Sequence, residues 1–380
     1  MSASVFAAPD PHSPLARYRL LSPNASVRVS PLCLGSMSFG DAWKGLVGSC
    51  DKETTEAILD FFHEQVGNFI DTANSYQGGQ SEEWIGDWMK KRGNRDQIVL
   101  ATKYSLRAGA GHSAAEITAN STGNSTKSMR VSLDASLRRL KTDYIDVFYV
   151  HFWDFSTPIP ELMQSLNQLV VSGKVLYLGI SDAPAWVVTK ANQYARDHAL
   201  RQFSVYQGLW SAACRDFERE ILPMARDEGM ALAPWGALGQ GKFKTEEERK
   251  AGDSLRNKVQ PPSAVDLQVS KVLEIIATRK NTLPTSVALA YVMHKAPYTF
   301  PIVGGRTVDH LKRNIAALTL QLDDADIEEI ESAVPFDLGF PHSFLYGGVN
   351  PDHPCAVSWL NMAATYDYVS LPKPIQPHKV

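Results

Sequence analysis

Between about residue 30 and residue 335 the chain alternates short apolar runs with longer stretches whose apolar positions recur every three or four residues. The runs are PLCLGSMSFG, NFIDTANSY, QIVLATKYS, YIDVFYVHF, VLYLGISDA, FSVYQGLWS, MALAPWGAL and TFPIVGG. Each has the Val, Ile, Leu and Tyr content of a strand buried on both faces. The stretches between them, among them TTEAILDFFHEQ, SEEWIGDWMKK, SMRVSLDASLRRLK, IPELMQSLNQLVVSG and HLKRNIAAL, carry a helical period. Eight strand–helix units in succession predict an α/β fold, a (β/α)8 TIM barrel. A doubly wound sheet is the rival. It calls for a GxGxxG turn after its first strand, and LGSMSFGD supplies none.

Three further segments fall outside that alternation. YRLLS and VRVS flank Pro23-Asn24-Ala25-Ser26 and predict an N-terminal β-hairpin plugging one end of the barrel. Residues 240–265 are too polar and charged for core and predict a long loop after the seventh strand. Residues 336–380 form a C-terminal tail rich in aromatic residues, Pro and Gly. A disordered tail would be poorer in aromatics, so much of this one is expected to pack back on the barrel and shape a substrate site. The chain thus reads as one domain over 1–380, with the barrel at about 17–335 and the tail at 336–380.

Composition narrows the function classes. A hydrophobic fraction of 44% is that of an ordinary globular protein. The net charge of -3, with no basic block, argues against nucleic acid or an anionic membrane as the main partner. Cys33, Cys50, Cys214 and Cys355 show neither CxxC nor metal-like spacing, so reduced thiols and no metal are expected. The first twenty residues lack a basic leader, and no window has the apolar length of a membrane span. Cytoplasmic localisation is the expectation.

Polar residues stand where apolar runs end, and the carboxyl ends of barrel strands form the catalytic face. The second run stops at Asp71 with Tyr76 just beyond, the third carries Lys103, and the fourth ends on His151. Singly each has an ordinary explanation: a turn former, a rim aromatic, a snorkelling lysine, a satisfied core histidine. On three successive strands of one face they form an acid–base set.

With these residues in place, the sequence resembles the aldo-keto reductase superfamily, whose Asp–Tyr–Lys–His tetrad matches Asp71, Tyr76, Lys103 and His151 in order and spacing. The likeness spans nearly the whole barrel. It is nearest to fungal aryl-alcohol dehydrogenases and norsolorinic acid reductase-like members through SYQGGQSEEWIGDWM, HFWDFSTPIPELM and APWGALGQGKF. The resemblance implies reversible NADPH-dependent reduction of aromatic aldehydes to alcohols, with NADPH/NADP+ as cofactor and a small aldehyde or alcohol as substrate. A tyrosine with a pKa near ~10 is a weak acid, and a lysine against its oxygen is expected to lower that value. Asp71 would hold Lys103 in place and offset the cost of burying its charge. His151 would donate a hydrogen bond to the carbonyl, orient it and help relay a proton.

The same resemblance implies a cofactor site. Ser181, Asp182 and Gln207 fall where the family binds the nicotinamide carboxamide, although position 182 is more often Asn there. Trp235 would stack on the ring. Gly236, Leu238 and Gln240 would line the pyrophosphate, with Gly239 and Gly241 permitting close backbone approach, and Lys242 is a candidate phosphate contact. Gly304, Gly305 and Arg306, at a helix start, would bind the 2′-phosphate, with His310, Arg313 and Asn314 reaching the adenine end. Trp43, Phe152 and Trp153 are the candidate substrate residues, lining a cleft for a flat ring.

Two other classes compete. A cofactor-binding regulatory protein with little turnover, like potassium-channel β subunits, is compatible with an intact tetrad. A metal-dependent barrel hydrolase is disfavoured because no strand carries an HxH motif. The oligomeric state is not implied by any of these features.

Overall fold

The computed structural model describes residues 7–48, 50–107, 116–251, 257, 260–347 and 356–378. The antiparallel hairpin comes first, β1 (Arg19–Ser22) pairing with β2 (Ala25–Val29). Eight parallel strands follow: β3 (Cys33–Gly35), β4 (Phe69–Asp71), β5 (Val99–Tyr104), β6 (Ile145–Val150), β7 (Val175–Ser181), β8 (Phe203–Leu209), β9 (Ala231–Trp235) and β10 (Ile302–Gly304). They form one sheet in which β10 lies beside β3 and the rest follow in sequence order to β9. The seam between β9 and β10 is closed by a parallel bridge from Leu232 to Thr299, with Phe300 N donating to Leu232 O at 2.8 Å. The architecture is the (β/α)8 barrel that the alternation predicts.

Helices α1 (Lys44–Val47), α2 (Lys52–Glu64), α3 (Gln80–Arg92), α4 (Thr126–Leu140), α5 (Ile159–Val171), α6 (Ala185–Asp197) and α7 (Phe217–Asp227) occupy the first half and middle of the chain. They are followed by α8 (Glu246–Lys250), α9 (Ala264–Arg279), α10 (Pro284–Lys295), α11 (Val308–Ala316), α12 (Asp324–Ser332) and α13 (His342–Leu345). Their ends carry the expected signals. Asp51 caps α2 by accepting from Thr54 N at 2.8 Å, and Thr307 accepts from His310 N at the start of α11.

Strand alternation divides the core into two layers. From β3 to β9, even-numbered residues such as Leu34, Ile70, Leu100, Phe148, Leu178 and Leu232 face the helices. Odd-numbered residues, Cys33, Phe69, Val99, Ala101, Val147, Val205 and Ala231 among them, fill the barrel interior. The period of two sorts them. Leu21, Ala25 and Val29 of the hairpin pack into that inner layer, so the hairpin does plug the barrel, at the end where strands begin. Space inside is tight: a Cβ on Gly179 would collide with the Tyr149 ring on the neighbouring strand.

Two expectations need correction. The charged stretch after β9 is not all loop: it contains α8, capped by Thr245 and Glu248 in a reciprocal capping box. Residues 252–256, 258 and 259 of it lie outside the described residues. Among the described residues the tail packs back mainly at its start, where Phe336 lies under the Arg215 and Arg219 guanidinium groups at 4.7 and 4.6 Å, Leu338 is buried and His342 Nε2 lies 3.9 Å from Glu220 Oε1. Phe340 (84%) and Met362 (80%) are exposed, and Phe344 pairs with Trp359 at 5.6 Å. Residues 348–355, Cys355 included, and 379–380 lie outside the described residues.

One buried ion pair joins the layers beneath the catalytic face. Glu82, on α3, is fully buried. Its Oε1 accepts from Thr102 Oγ1 on β5 at 2.6 Å, and its Oε2 accepts from Arg139 Nε on α4 at 2.8 Å. Removing one member of a buried pair strands the other charge. Glu82→Ala is expected to lower the unfolding free energy by about 3–5 kcal/mol, read from urea denaturation; a loss under about 1 kcal/mol would show the network to be dispensable.

Candidate active site

The inner layer turns polar at its carboxyl end, where Asp71, Lys103, His151, Ser181, Gln207 and Trp235 continue the inward-facing positions of six strands. Strand register brings them level. Ser181 pairs with Gln207, Leu209 with Trp235, and Gly35 with Asp71. A cavity of about 830 Å³ opens above them, within the range of small-molecule sites.

Lys103 is fully buried. Its ammonium donates to Asp71 Oδ1 at 2.5 Å, to the Thr72 carbonyl at 2.8 Å and to Tyr76 Oη at 3.1 Å. Three donors meet three acceptors, so the buried charge is fully satisfied. Gln207 Nε2 donates to the other Asp71 oxygen at 3.0 Å, holding the carboxylate from the far side. Burial opposes the Lys103 charge, but the Asp71 carboxylate and the Tyr76 oxygen outweigh it and raise the lysine pKa.

Tyr76 begins a tight turn, Tyr76–Gly79, in which Gln77 takes φ 52° and Gly78 φ 66°. Buried Gln77 pins this turn, its Nε2 donating to the Met37 carbonyl at 3.0 Å and its Oε1 accepting from Trp43 N at 2.7 Å. The pKa of Tyr76 lies above its ordinary value, because burial exceeds the opposing pull of Lys103 and Asp71 adds to the rise. That reverses the lowering expected from the lysine alone. The His151 ring meets Tyr76 edge-on at 5.9 Å, and its Nδ1 has no hydrogen-bond partner. Burial, reinforced by the Lys103 charge, pushes the imidazole pKa down to about 3, so it is neutral at physiological pH.

The remaining predicted residues divide. Ser181, Asp182, Gln207, Trp235, Gly236, Leu238 and Gln240 line the cavity beside the tetrad, and Trp235 Nε1 donates to Asp182 Oδ1 at 3.3 Å. Gly304, Gly305, Arg306, His310, Arg313 and Asn314 line its other end. Arg306 is exposed at the rim and lies against Gly48, where φ is 79° and any Cβ would strike its guanidinium. The His310 ring accepts from Arg306 N at 3.4 Å, and burial together with Arg306 and Arg313 lowers its pKa.

Lys242 turns away from the cavity. Its Nζ pairs with Asp266 Oδ2 at 3.1 Å, and Lys244 two residues on lines the cavity instead. Trp43 stands edge-on to Tyr76 at 6.4 Å. Trp153 packs into the helix-facing core, only 8% exposed, and the Phe152 carbonyl accepts from Asn124 Nδ2 at 3.0 Å; like Trp43, neither is among the residues that line the cavity.

Sequence reasoning missed Ser36, Met37 and Ser38, which line the cavity after β3. The strand-end rule that found Asp71 applies equally to GSMS and would have found them. It also missed Glu248, Leu283 and Thr285, which sit in helices and loops remote from any strand end. Among the described residues no group of His, Cys, Asp and Glu side chains is arranged to hold a metal ion, and no helix is long and apolar enough to cross a membrane.

Comparison with known proteins agrees with this geometry. The model of the aldo/keto reductase family matches residues 31–335. Norsolorinic acid reductase B of Dothistroma septosporum is 58% identical over 369 residues, covering 95% of this chain and 94% of the relative. An aryl-alcohol dehydrogenase of Pestalotiopsis microspora is 53% identical, covering 97% and 95%. A putative aryl-alcohol dehydrogenase of Saccharomyces cerevisiae is 51% identical, covering 89% and 92%. The match over the whole barrel and the identity along nearly the full chain show that this protein belongs to the aldo/keto reductase family, a family of oxidoreductases.

Proposed function

We propose that this protein is an NADPH-dependent reductase of aromatic aldehydes, reversible to oxidation of the alcohols. The observation that carries this reading is the Lys103 ammonium, which bonds Asp71 and the Tyr76 hydroxyl at the floor of an open cavity. Reduction needs a hydride for the carbonyl carbon and a proton for its oxygen. The reduced nicotinamide supplies the hydride when bound, and this chain supplies the proton.

Tyr76 is the proton donor. Its raised pKa keeps the phenol protonated before reaction, and Lys103 stabilises the phenolate left behind. Asp71, braced by Gln207, fixes the lysine. His151 is neutral, so it orients the carbonyl as a hydrogen-bond donor and is no proton source at neutral pH. This narrows the role expected of it. Trp43, edge-on to Tyr76, supplies an aromatic wall for the substrate ring. The aryl-alcohol dehydrogenases among the relatives support that substrate class.

The far end of the cavity suits a phosphorylated adenosine. The α11 N-terminus offers Thr307 and its backbone, with Arg306 and Arg313 adding positive charge. The regulatory alternative shares this pocket and differs only in turnover, which an NADPH absorbance assay with benzaldehyde distinguishes.

Tyr76→Phe is expected to reduce kcat for aldehyde reduction by roughly 10²–10⁴-fold while the NADPH dissociation constant stays near wild type. Turnover retained within about tenfold would remove Tyr76 from the proton-donor role. The pH dependence follows from the sign of each shift. Aldehyde reduction requires protonated Tyr76, so kcat/KM should hold on the alkaline side until the pH passes 10.0, the unshifted tyrosine value. It should also show no imidazole step between about pH 5 and 8, because His151 is already neutral throughout; a step there that vanishes in His151→Asn would contradict this. Arg306→Ala is expected to weaken NADPH binding about 10- to 150-fold, a charge-assisted contact contributing on the order of 1.5–3 kcal/mol, while NADH is little affected. Equal weakening of the two cofactors in fluorescence titration would make Arg306 a structural residue.

A further inference from the structure

The cavity floor carries more negative charge than the proton-transfer chemistry uses. Lys103 and Asp71 pair with each other and His151 is neutral. Asp182 remains. Among the described residues no cation forms an ion pair with its carboxylate, whose hydrogen-bond donor is the neutral indole N–H of Trp235 at 3.3 Å. It stands exposed at the end of β7 and lines the cavity; desolvation raises its pKa, against the opposing pull of Trp235, Ser181 and the Lys103 charge.

The carboxylate is also fixed in place. Asp182 adopts φ 44°, a left-handed conformation that costs a non-glycine residue energy and persists only where its surroundings enforce it. Its N–H donates to the Gln207 carbonyl at 3.0 Å. The next residue is clamped by the Tyr206 hydroxyl, which donates to Ala183 O at 2.8 Å and accepts from Ala183 N at 3.2 Å. This fixed backbone presents the carboxylate to the cavity, where the Trp235 indole bonds it. Its field reaches Tyr76, where it adds to the upward shift of the phenol.

We infer that Asp182 is a specificity-determining residue that makes the site prefer the oxidised, positively charged nicotinamide over the reduced, neutral one. The inference rests on the nicotinamide reading of this cavity. A unit charge about 4 Å from a cation changes a binding ratio by roughly fivefold in bulk water and by several hundredfold at an effective dielectric constant of about 20, so about tenfold is the scale for a carboxylate open to solvent. For a two-electron couple a tenfold ratio equals about 30 mV. The sign favours hydride donation on the protein. With the cofactor bound, its hydride would pass from the dihydronicotinamide carbon to the carbonyl carbon as the Tyr76 proton passed to oxygen, and Asp182 would stabilise the positive charge left on the ring.

The test is fluorescence titration of the full chain with NADPH and with NADP+, for wild type, Asp182→Asn and Asp182→Ala. Asp182→Asn keeps the shape and the acceptor for Trp235 while removing the charge. Both variants should weaken NADP+ relative to NADPH by about tenfold, and Asp182→Ala separates the charge from the hydrogen bond by moving the ratio in the same direction. Variants that bind both forms with the wild-type ratio overturn the inference and leave the cofactor reading standing. Wild type that binds neither form overturns both.

Discussion

A lysine buried without water must give all three of its N–H groups to acceptors, and that demand organises the top of this barrel. Lys103 meets it with a carboxylate from β4, a carbonyl just past β4 and a phenol from the following turn. Each acceptor must arrive at one point from a separate backbone position, so the register of β4 against β5 and the conformation of the Tyr76 turn are both constrained. The Ala101–Asp71 pairing sets the first, and the Gln77 side chain, bonded to Met37 and Trp43, sets the second. Removing any one acceptor would leave an ammonium short of partners in a low-dielectric interior, which is costly.

The barrel converts this local demand into a site by alternation. Inward positions are apolar at the hairpin end, where Leu21, Phe69, Val99 and Val147 pack, and polar at the open end. The apolar layer supplies the folding free energy and the rigidity on which the polar layer depends. Glu82 braces the same region from outside, joining the helix that follows the Tyr76 turn to the strand that carries Lys103. The polar groups at the open end are thus positioned from both faces of the sheet.

Electrostatics at the floor is decided by competition rather than by the nearest charge. Lys103 pulls the Tyr76 pKa down, yet burial and Asp71 push it up by more, and the phenol stays protonated. The same burial with the same lysine neutralises His151. One environment therefore yields a protonated phenol and a neutral imidazole 5.9 Å apart, ring to ring.

The chain sequence by itself determined the architecture and the tetrad. Eight apolar runs separated by helical periods specify a parallel barrel because strands buried on both faces need helices to cover them. Polar residues ending three successive runs place Asp71, Lys103 and His151 at inward positions, because the period of two carries them to the interior, with Tyr76 in the turn just beyond the first of them. What the tertiary structure alone decided depends on which distant groups meet. The sense of the Tyr76 shift required the depth of burial; the brace on Asp71 required Gln207, 136 residues away in sequence. Lys242 and Lys244 look alike along the chain, and only the position of Asp266 on α9 sends the first to an ion pair and leaves the second at the cavity wall. Aromatic content predicted a packed tail, but composition reports what a segment could bury, whereas the tertiary structure leaves Phe340, Phe344, Trp359 and Met362 exposed.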